Sequence, residues 1–403
     1  MRRLRSSLFF VALVLLVLPD TASAIPAFAR KYGVSCQLCH SAVPRLTPYG
    51  EQFAANGFEL VTGEPPRDTI DTGDPLLRLL RRIEFAIRMD LFGTATLPDR
   101  AHVGDVDLQT PYGVKLLTGG ALADRISYYM YFYMSERGEV AGLEDAYIQF
   151  TDIAGSGVNA MVGQFQVSDP LFKRELRLPY EDYQPYRVRV GDARADLTYD
   201  RGLMLSLSPW EGSDIVLSVV NGRGLDEAAE DRHYDRDDNK GLALRYSQDI
   251  AGLRVGAFGY VAREGADGLT DRITVWGPDV TVAFGGFEIN AQYLERRDSN
   301  PFFAIDEAET TVRSAFAEVL YGPFGADGRW TLAGLYNWID ADDPVISLRL
   351  GDAADTGGLT TTYHSASAGI HYLLQRNVRV MTEAGYDIER ERTRLTLGAT
   401  LAF

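Results

Sequence analysis

Two cysteines and a histidine stand close together near the start of the chain, as Cys36-Gln37-Leu38-Cys39-His40. Two thiols at this spacing can add to the two vinyl groups of one porphyrin, and the imidazole that follows can ligate the iron. The motif therefore predicts one covalently attached haem c, with His40 as the proximal iron ligand. A C-x-x-C redox pair followed by an unrelated histidine is the alternative. It is disfavoured because the 403-residue chain has no other cysteine.

A short helix is predicted directly after this motif. Thr47 can cap its first turn, and Asn56 followed by Gly57 supplies a typical stop. Within the helix, Tyr49 and Phe53 lie one turn apart. This spacing suits two rings that pack on a porphyrin face, so we expect Tyr49 and Phe53 to contribute to haem binding.

The chain is predicted to begin with a signal peptide, residues 1–24. Three arginines precede an unbroken apolar run from Leu8 to Leu18, and Ala22-Ser23-Ala24 has the small residues of a cleavage site. An N-terminal anchor helix is the alternative, but the apolar run is short for crossing a bilayer. The exported protein would then start with a haem unit over residues 25–75. A unit of this size seldom builds a sufficient core alone, so we expect the haem or the rest of the chain to support it.

The formal net charge is −16, from 40 basic and 56 acidic side chains. This acidic excess argues against a nucleic-acid partner. Beyond the predicted signal peptide, the chain has no run of apolar residues long enough for a transmembrane helix. Insertion into a membrane would therefore require a β-barrel. For an exported barrel we expect the outer membrane of a Gram-negative bacterium, with its lipids in contact with the barrel.

From Arg81 onward the dominant hydrophobic period is two, as where Leu395 and Leu397 alternate with Arg394 and Thr396. Segments of about ten residues with one apolar and one polar face are typical of transmembrane β-barrels. We therefore predict that residues 81–403 form an all-β, porin-like barrel of about 16 antiparallel strands. A soluble β-sandwich is the alternative, disfavoured by the sustained apolar face. The predicted strands are 82–95, 111–119, 126–136, 141–151, 157–167, 200–208, 213–222, 239–248, 252–264, 272–284, 287–296, 310–321, 329–341, 361–373, 377–389 and 392–403.

The predicted connections alternate between short turns and longer loops, as expected for periplasmic turns and external loops. An even number of strands leaves both barrel ends in the periplasm, where haem is attached. The longest loop, 168–199, is rich in charged side chains. It is expected either to fold inward and narrow the pore or to lie on the surface in contact with solvent.

The second axial ligand of the iron must be sought outside the haem unit. Residues 25–75 contain no methionine, and His40 is their only histidine. The iron is therefore five-coordinate, has an unusual ligand, or takes a ligand from the barrel. His371 and Met381 share strand parity with polar residues, so both are expected to face the interior near the periplasmic end. They are the two candidates for the distal ligand, with the haem unit plugging the barrel from below.

The N-terminal residues as a group resemble those of the fused monohaem cytochrome–porin family. The resemblance covers residues 26–58 and rests on Pro26-Ala27-Phe28-Ala29-Arg30-Lys31-Tyr32-Gly33-Val34-Ser35, the Cys36–His40 motif, Pro44, Pro48-Tyr49-Gly50-Glu51-Gln52-Phe53 and Asn56-Gly57-Phe58. The best-known members of this family are outer-membrane iron oxidases of iron-oxidising bacteria.

The resemblance implies electron transfer of the iron:cytochrome c oxidoreductase type. Extracellular Fe(II) would be the donor and a periplasmic c-type cytochrome or similar carrier the acceptor. Two other functions remain open on the residues alone. One is a solute-selective porin whose haem is sensory or structural, and the other is a haem enzyme with an open iron position.

Overall fold

The structure is a computed structural model. It describes residues 27–403 except 61–68, 78, 98–105, 137, 169, 226–227, 229–230, 236, 267, 307, 326 and 349–357. The predicted signal peptide, residues 1–24, lies outside the described residues. No helix in the described ranges is long and apolar enough to cross a membrane.

Alternating polar and apolar residues form long antiparallel strands, because each strand has one face turned inward and one turned outward. In the described residues, sixteen such strands close into one barrel, and the last pairs with the first. The predicted fold class is confirmed. Numbered β1–β16 in chain order, the strands are Phe85–Leu97, Val106–Ala123, Ile126–Glu136, Gly142–Phe150, Val158–Gln166, Tyr199–Leu207, Ser213–Val220, Gly241–Ile250, Leu253–Ala266, Leu269–Phe284, Phe287–Asp298, Thr310–Tyr321, Trp330–Ala341, Thr362–Gln375, Val378–Asp387 and Arg392–Ala402.

Strand β2 differs most from its predicted bounds of 111–119. A proline lacks the amide hydrogen that a strand ladder needs, so Pro111 favours a strand that begins there. In the structure the pairing of β1 with β2 shifts at this point, with Asp90 opposite Gly113 and Phe92 opposite Gln109. The irregularity accommodates Pro111, and the ladder continues to Val106 on the far side.

The two barrel rims differ. One, named the turn end, carries short connections such as Asp124–Arg125 and Gly285–Gly286. The other, named the loop end, carries longer ones such as 221–240. Exposed aromatic side chains lie on the outer surface near both rims, with Trp210 and Phe284 at the turn end and Tyr386 at the loop end. Two such girdles are typical of membrane-spanning β-barrels.

Residues 167–198 connect β5 and β6 and are named the inner loop. Tyr183 and Tyr186 of this loop are fully buried. The Tyr183 hydroxyl donates to Glu318 on β12 at 2.9 Å, and the Gln184 amide donates to the Asn337 side chain on β13 at 3.1 Å. Both acceptors face the barrel interior. Of the two alternatives, the structure therefore shows the inward-folded loop.

Residues 27–60 form a small helical unit, named the plug, at the turn end. It contains helix α1 (Ala27–Tyr32), a 3₁₀ turn (Cys36–Leu38) and helix α2 (Pro48–Ala55). Thr47 caps α2 as predicted, because its hydroxyl accepts the Gly50 amide hydrogen at 3.1 Å. A barrel of sixteen strands encloses an open lumen unless something fills it. Here the plug and the inner loop occupy its interior from the two ends.

Candidate haem site

The Cys36–His40 motif forms one tight turn. The backbone amides of Cys39 and His40 both donate to the Cys36 carbonyl, at 3.2 and 2.8 Å. Neither cysteine has a disulfide partner in the described part of the chain, and both thiols are half-buried. Burial raises the pKa of both, so they are neutral thiols at neutral pH. Two free thiols on one turn are compatible with attachment to a single porphyrin.

The His40 ring is held by its own loop. Its Nδ1 atom lies 3.0 Å from the Pro44 carbonyl oxygen, so Nδ1–H donates to that oxygen and Nε2 keeps its lone pair. Burial lowers the pKa of His40, which favours the neutral ring. Histidines that ligate metals usually donate their other N–H to such a carbonyl. The two thiols and this neutral imidazole fit a haem c attached to Cys36 and Cys39 and ligated by His40.

Helix α2 approaches the motif closely. The Thr47 amide donates to the Cys39 carbonyl at 2.9 Å, and the Thr47 hydroxyl donates to the Leu38 carbonyl at 2.7 Å. A Cβ atom on Gly50 would lie only 2.2 Å from the Cys39 carbonyl oxygen. The contact joins two backbones, so only glycine fits at position 50.

Replacing Gly50 with alanine is therefore expected to push α2 away from the motif. We expect a destabilisation of the plug by about 1–3 kcal/mol, as for other overpacked sites. The haem bound per barrel, measured after expression with a cytochrome c maturation system, should fall. Ala55→Gly, at an exposed position of the same helix, is the control and should cost no more than about 1 kcal/mol. Full haem content in Gly50→Ala would contradict the close approach.

Phe53 lies in an aromatic cluster that joins the plug to the barrel wall. Its ring centroid is 5.3 Å from that of Phe28, 5.8 Å from Tyr32 and 6.0 Å from Phe58. Phe58 in turn stacks on Tyr129 of β3 at 5.0 Å. Tyr49, one turn before Phe53, is half-buried. The role of Tyr49 and Phe53 on a porphyrin face stays a prediction.

Ionic and polar contacts also seat the plug in the turn-end mouth. The Arg45 guanidinium, which is largely buried, pairs with Glu288 of β11 and lies 3.7 Å from Glu318 of β12. On the other side of the mouth, Gln149 of β4 donates to the Ala55 carbonyl at 2.6 Å. Sequence reasoning missed Arg45 and its partners, because nothing near Arg45 in the chain indicates which distant carboxylates it meets.

The plug residues next to the motif reach β14. Ala42, two positions after His40, belongs to one buried apolar cluster with Leu178 of the inner loop and Leu373 of β14. At the start of the motif, the Gln37 side chain donates to Asp327 at 3.4 Å, in the turn between β12 and β13. The motif therefore lies where the plug, the inner loop and these strands meet.

His371 and Met381 face the barrel interior, as predicted. They are 1% and 2% exposed, whereas Ile370, next to His371 on the outer face, is 46% exposed. The two residues are direct cross-strand partners on β14 and β15. Neither ring nitrogen of His371 has a hydrogen-bond partner among the described residues. Their role as iron ligands stays a prediction.

Charged side chains of the inner loop pair with one another inside the lumen. Asp182, which is buried, accepts a hydrogen bond from Arg174, and Arg187 and Arg177 lie 3.4 and 3.7 Å from its carboxylate. Lys115 of β2 pairs with Glu175 at 3.0 Å. In the described ranges, no three His, Cys, Asp or Glu side chains gather in a way that could hold a metal ion.

Known proteins similar to this chain share its fold at low sequence identity. The anion-selective porin from Comamonas acidovorans gives a TM-score of 0.57 at 10% identity and covers 80% of this chain and 99% of that chain. A loop L8 deletion mutant of OmpT, an outer-membrane protein of Vibrio cholerae, gives 0.54 at 12%, covering 80% and 99%. OmpF of Salmonella typhi, in complex with daunomycin, gives 0.54 at 12%, covering 80% and 97%. No family model and no curated protein matches the chain. The fold is therefore that of a porin-like β-barrel.

Proposed function

We propose that this porin-like barrel lies in the outer membrane, carries one haem c on its plug, and transfers electrons between an extracellular donor and a periplasmic carrier. Cys36 and Cys39 would hold the haem covalently, and His40 would ligate its iron. The observation that carries the proposal is the position of the Cys36–His40 turn inside the turn-end mouth of a filled barrel. When bound, the haem supplies a one-electron redox centre.

The aromatic girdles and the asymmetry of the two rims support an orientation with the turn end in the periplasm. The apolar band of an outer membrane is about 25 Å tall and insulating, so a redox centre that serves both sides must lie within it. The Arg45 ion pair and the Phe58–Tyr129 stack, which hold the plug in the turn-end mouth, support a haem held in the lumen at that end. By the resemblance of residues 26–58, we propose Fe(II) as the donor and a c-type cytochrome or similar carrier as the acceptor.

Transfer across a membrane tests this function. The protein, matured with haem, is inserted into lipid vesicles that contain oxidised cytochrome c, and Fe²⁺ is added outside. We expect the enclosed cytochrome to be reduced in vesicles that carry the protein. It should stay oxidised in vesicles that carry a Cys36→Ala, Cys39→Ala double variant. Equal rates in the two preparations would refute the proposal.

A solute-selective porin with a sensory or structural haem is the second candidate. It is favoured by the similarity to solved porins, one of which is described as anion-selective. It requires an open path through the barrel, and the fully buried Tyr183 and Tyr186 lie inside the lumen in this structure. Stable single-channel conductance of the unmodified protein in planar bilayers would support the porin function over electron transfer.

A further inference from the structure

We propose that the imidazole of His371, on the inner wall of the barrel, is the second axial ligand of the haem iron. This inference rests on the proposed function, because it requires the haem to be bound at Cys36, Cys39 and His40. The plug would then supply one axial ligand and the barrel the other. The haem site would be complete only when the plug is seated.

The first observation is the burial of His371 without a partner. Its side chain is 1% exposed, and neither Nδ1 nor Nε2 has a hydrogen-bond partner in the part of the chain that the structure describes. Buried polar groups in folded proteins are nearly always paired, so an imidazole buried in this way has a nitrogen lone pair available to a partner outside the described residues. A metal ion that accepts a nitrogen lone pair is such a partner.

The second observation is that β14 meets the plug two residues away from His371. Leu373, the next interior-facing residue of β14 toward the turn end, shares a buried apolar cluster with Ala42 of the plug. Just beyond the end of β14, Arg376 donates to the Asp327 carbonyl at 3.0 Å, and the Asp327 side chain accepts the hydrogen bond from Gln37 of the motif at 3.4 Å. The plug around His40 therefore lies against the stretch of β14 that leads to His371.

The chemistry of the two candidates separates His371 from Met381. Met381 is its cross-strand partner and is equally buried. A thioether is satisfied by apolar burial alone and often fills gaps in a core. An imidazole is not satisfied by apolar burial, because its N–H group and its nitrogen lone pair both need hydrogen-bonding or metal partners. The plug itself cannot supply a second imidazole or a thioether ligand, because residues 27–60 contain no methionine and no histidine other than His40.

The test compares carbon monoxide binding and absorption spectra of the reduced, purified protein, matured with haem. Iron with two protein ligands binds carbon monoxide slowly or not at all, whereas iron with an open position binds it readily. We expect the parent protein to resist carbon monoxide and the His371→Ala variant to bind it at least tenfold faster with a shifted haem band. His371→Met, which offers a different ligand at the same place, should resist carbon monoxide but show a higher reduction potential.

Two controls separate a ligand from a merely structural residue. His364→Ala removes a histidine of the same strand, near the loop end, which contacts Glu389 at 3.2 Å. Met381→Leu removes the sulfur with little change of shape. Both should behave like the parent protein. The inference would be overturned if the His371→Ala variant kept the parent spectrum and still resisted carbon monoxide. It would also be overturned if only the Met381→Leu variant bound carbon monoxide readily, or if the parent protein itself did.

The last of these results would favour a haem enzyme with an open iron position. A parent protein that acquires no haem at all would refute the proposed function together with this inference. If the protein binds haem and transfers electrons, but its spectrum is the same with and without the His371→Ala substitution, only this inference is refuted.

Discussion

A Cys36→Ala, Cys39→Ala double variant will carry no covalently bound haem. Thioether bonds to a porphyrin need a thiol, and the chain has no cysteine outside this motif. The barrel should still form, because its strand ladders and the contacts of Arg45 with Glu288 and Glu318 do not involve either thiol. Haem staining after denaturing electrophoresis measures the loss, which we expect to be complete.

Ser35→Ala is the matched control for the double variant. The Ser35 hydroxyl accepts the Gln37 amide hydrogen at 3.4 Å and so caps the turn that carries Cys36. Its loss should weaken the turn only slightly and leave the covalent haem in place. A double variant that stains as strongly as the parent protein would show that the Cys36–His40 motif does not attach haem.

Asp182→Ala is expected to release the inner loop from the lumen. The Asp182 carboxylate is buried among Arg174, Arg177 and Arg187, and without it these guanidiniums would lose the one carboxylate with which all three form ion pairs in the described residues. Removing one partner from a buried ionic cluster typically costs about 3–5 kcal/mol. The loop should therefore leave the interior and open a path for ions. Conductance in planar bilayers should rise, and trypsin should cleave the chain after Arg174 or Arg177.

The exposed carboxylate of Asp192 in the same loop provides the control. Asp192→Ala removes the same charge from the loop without emptying a buried cluster, so it should leave conductance and trypsin resistance as in the parent. Equal, low conductance in both variants would mean that the ionic cluster around Asp182 does not hold the inner loop in place.

The barrel was predictable because its signal is local. Each strand is indicated by apolar and polar residues that alternate with a period of two. A shift of one residue in strand register would turn its apolar residues inward. All sixteen predicted strands are present, and parity alone placed His371 and Met381 on the interior face. The ends of strands were harder, since at Pro111 the ladder is maintained by an irregularity that only the partner strand β1 reveals.

The filling of the barrel was not predictable to the same degree. The inner loop has the charged composition of a surface loop, and its burial depends on partners such as Glu318 and Asn337 far along the chain. Arg45 and Glu288 are separated by 243 positions. Such pairings leave no local pattern, because they arise only when the closed barrel brings strands and plug together. The motif itself was visible because covalent haem attachment, the chemistry proposed for it, requires both its residue types and their spacing.

The central claim is that electrons from an external donor reach a haem carried by the Cys36–His40 motif. It is tested most directly in intact cells that express the protein with a cytochrome c maturation system. Fe²⁺ is added outside, and the c-type absorption band is followed over time. We predict rapid reduction of the haem in cells with the parent protein and no such signal with Cys39→Ala. A haem that dithionite reduces but external Fe²⁺ does not would contradict the claim.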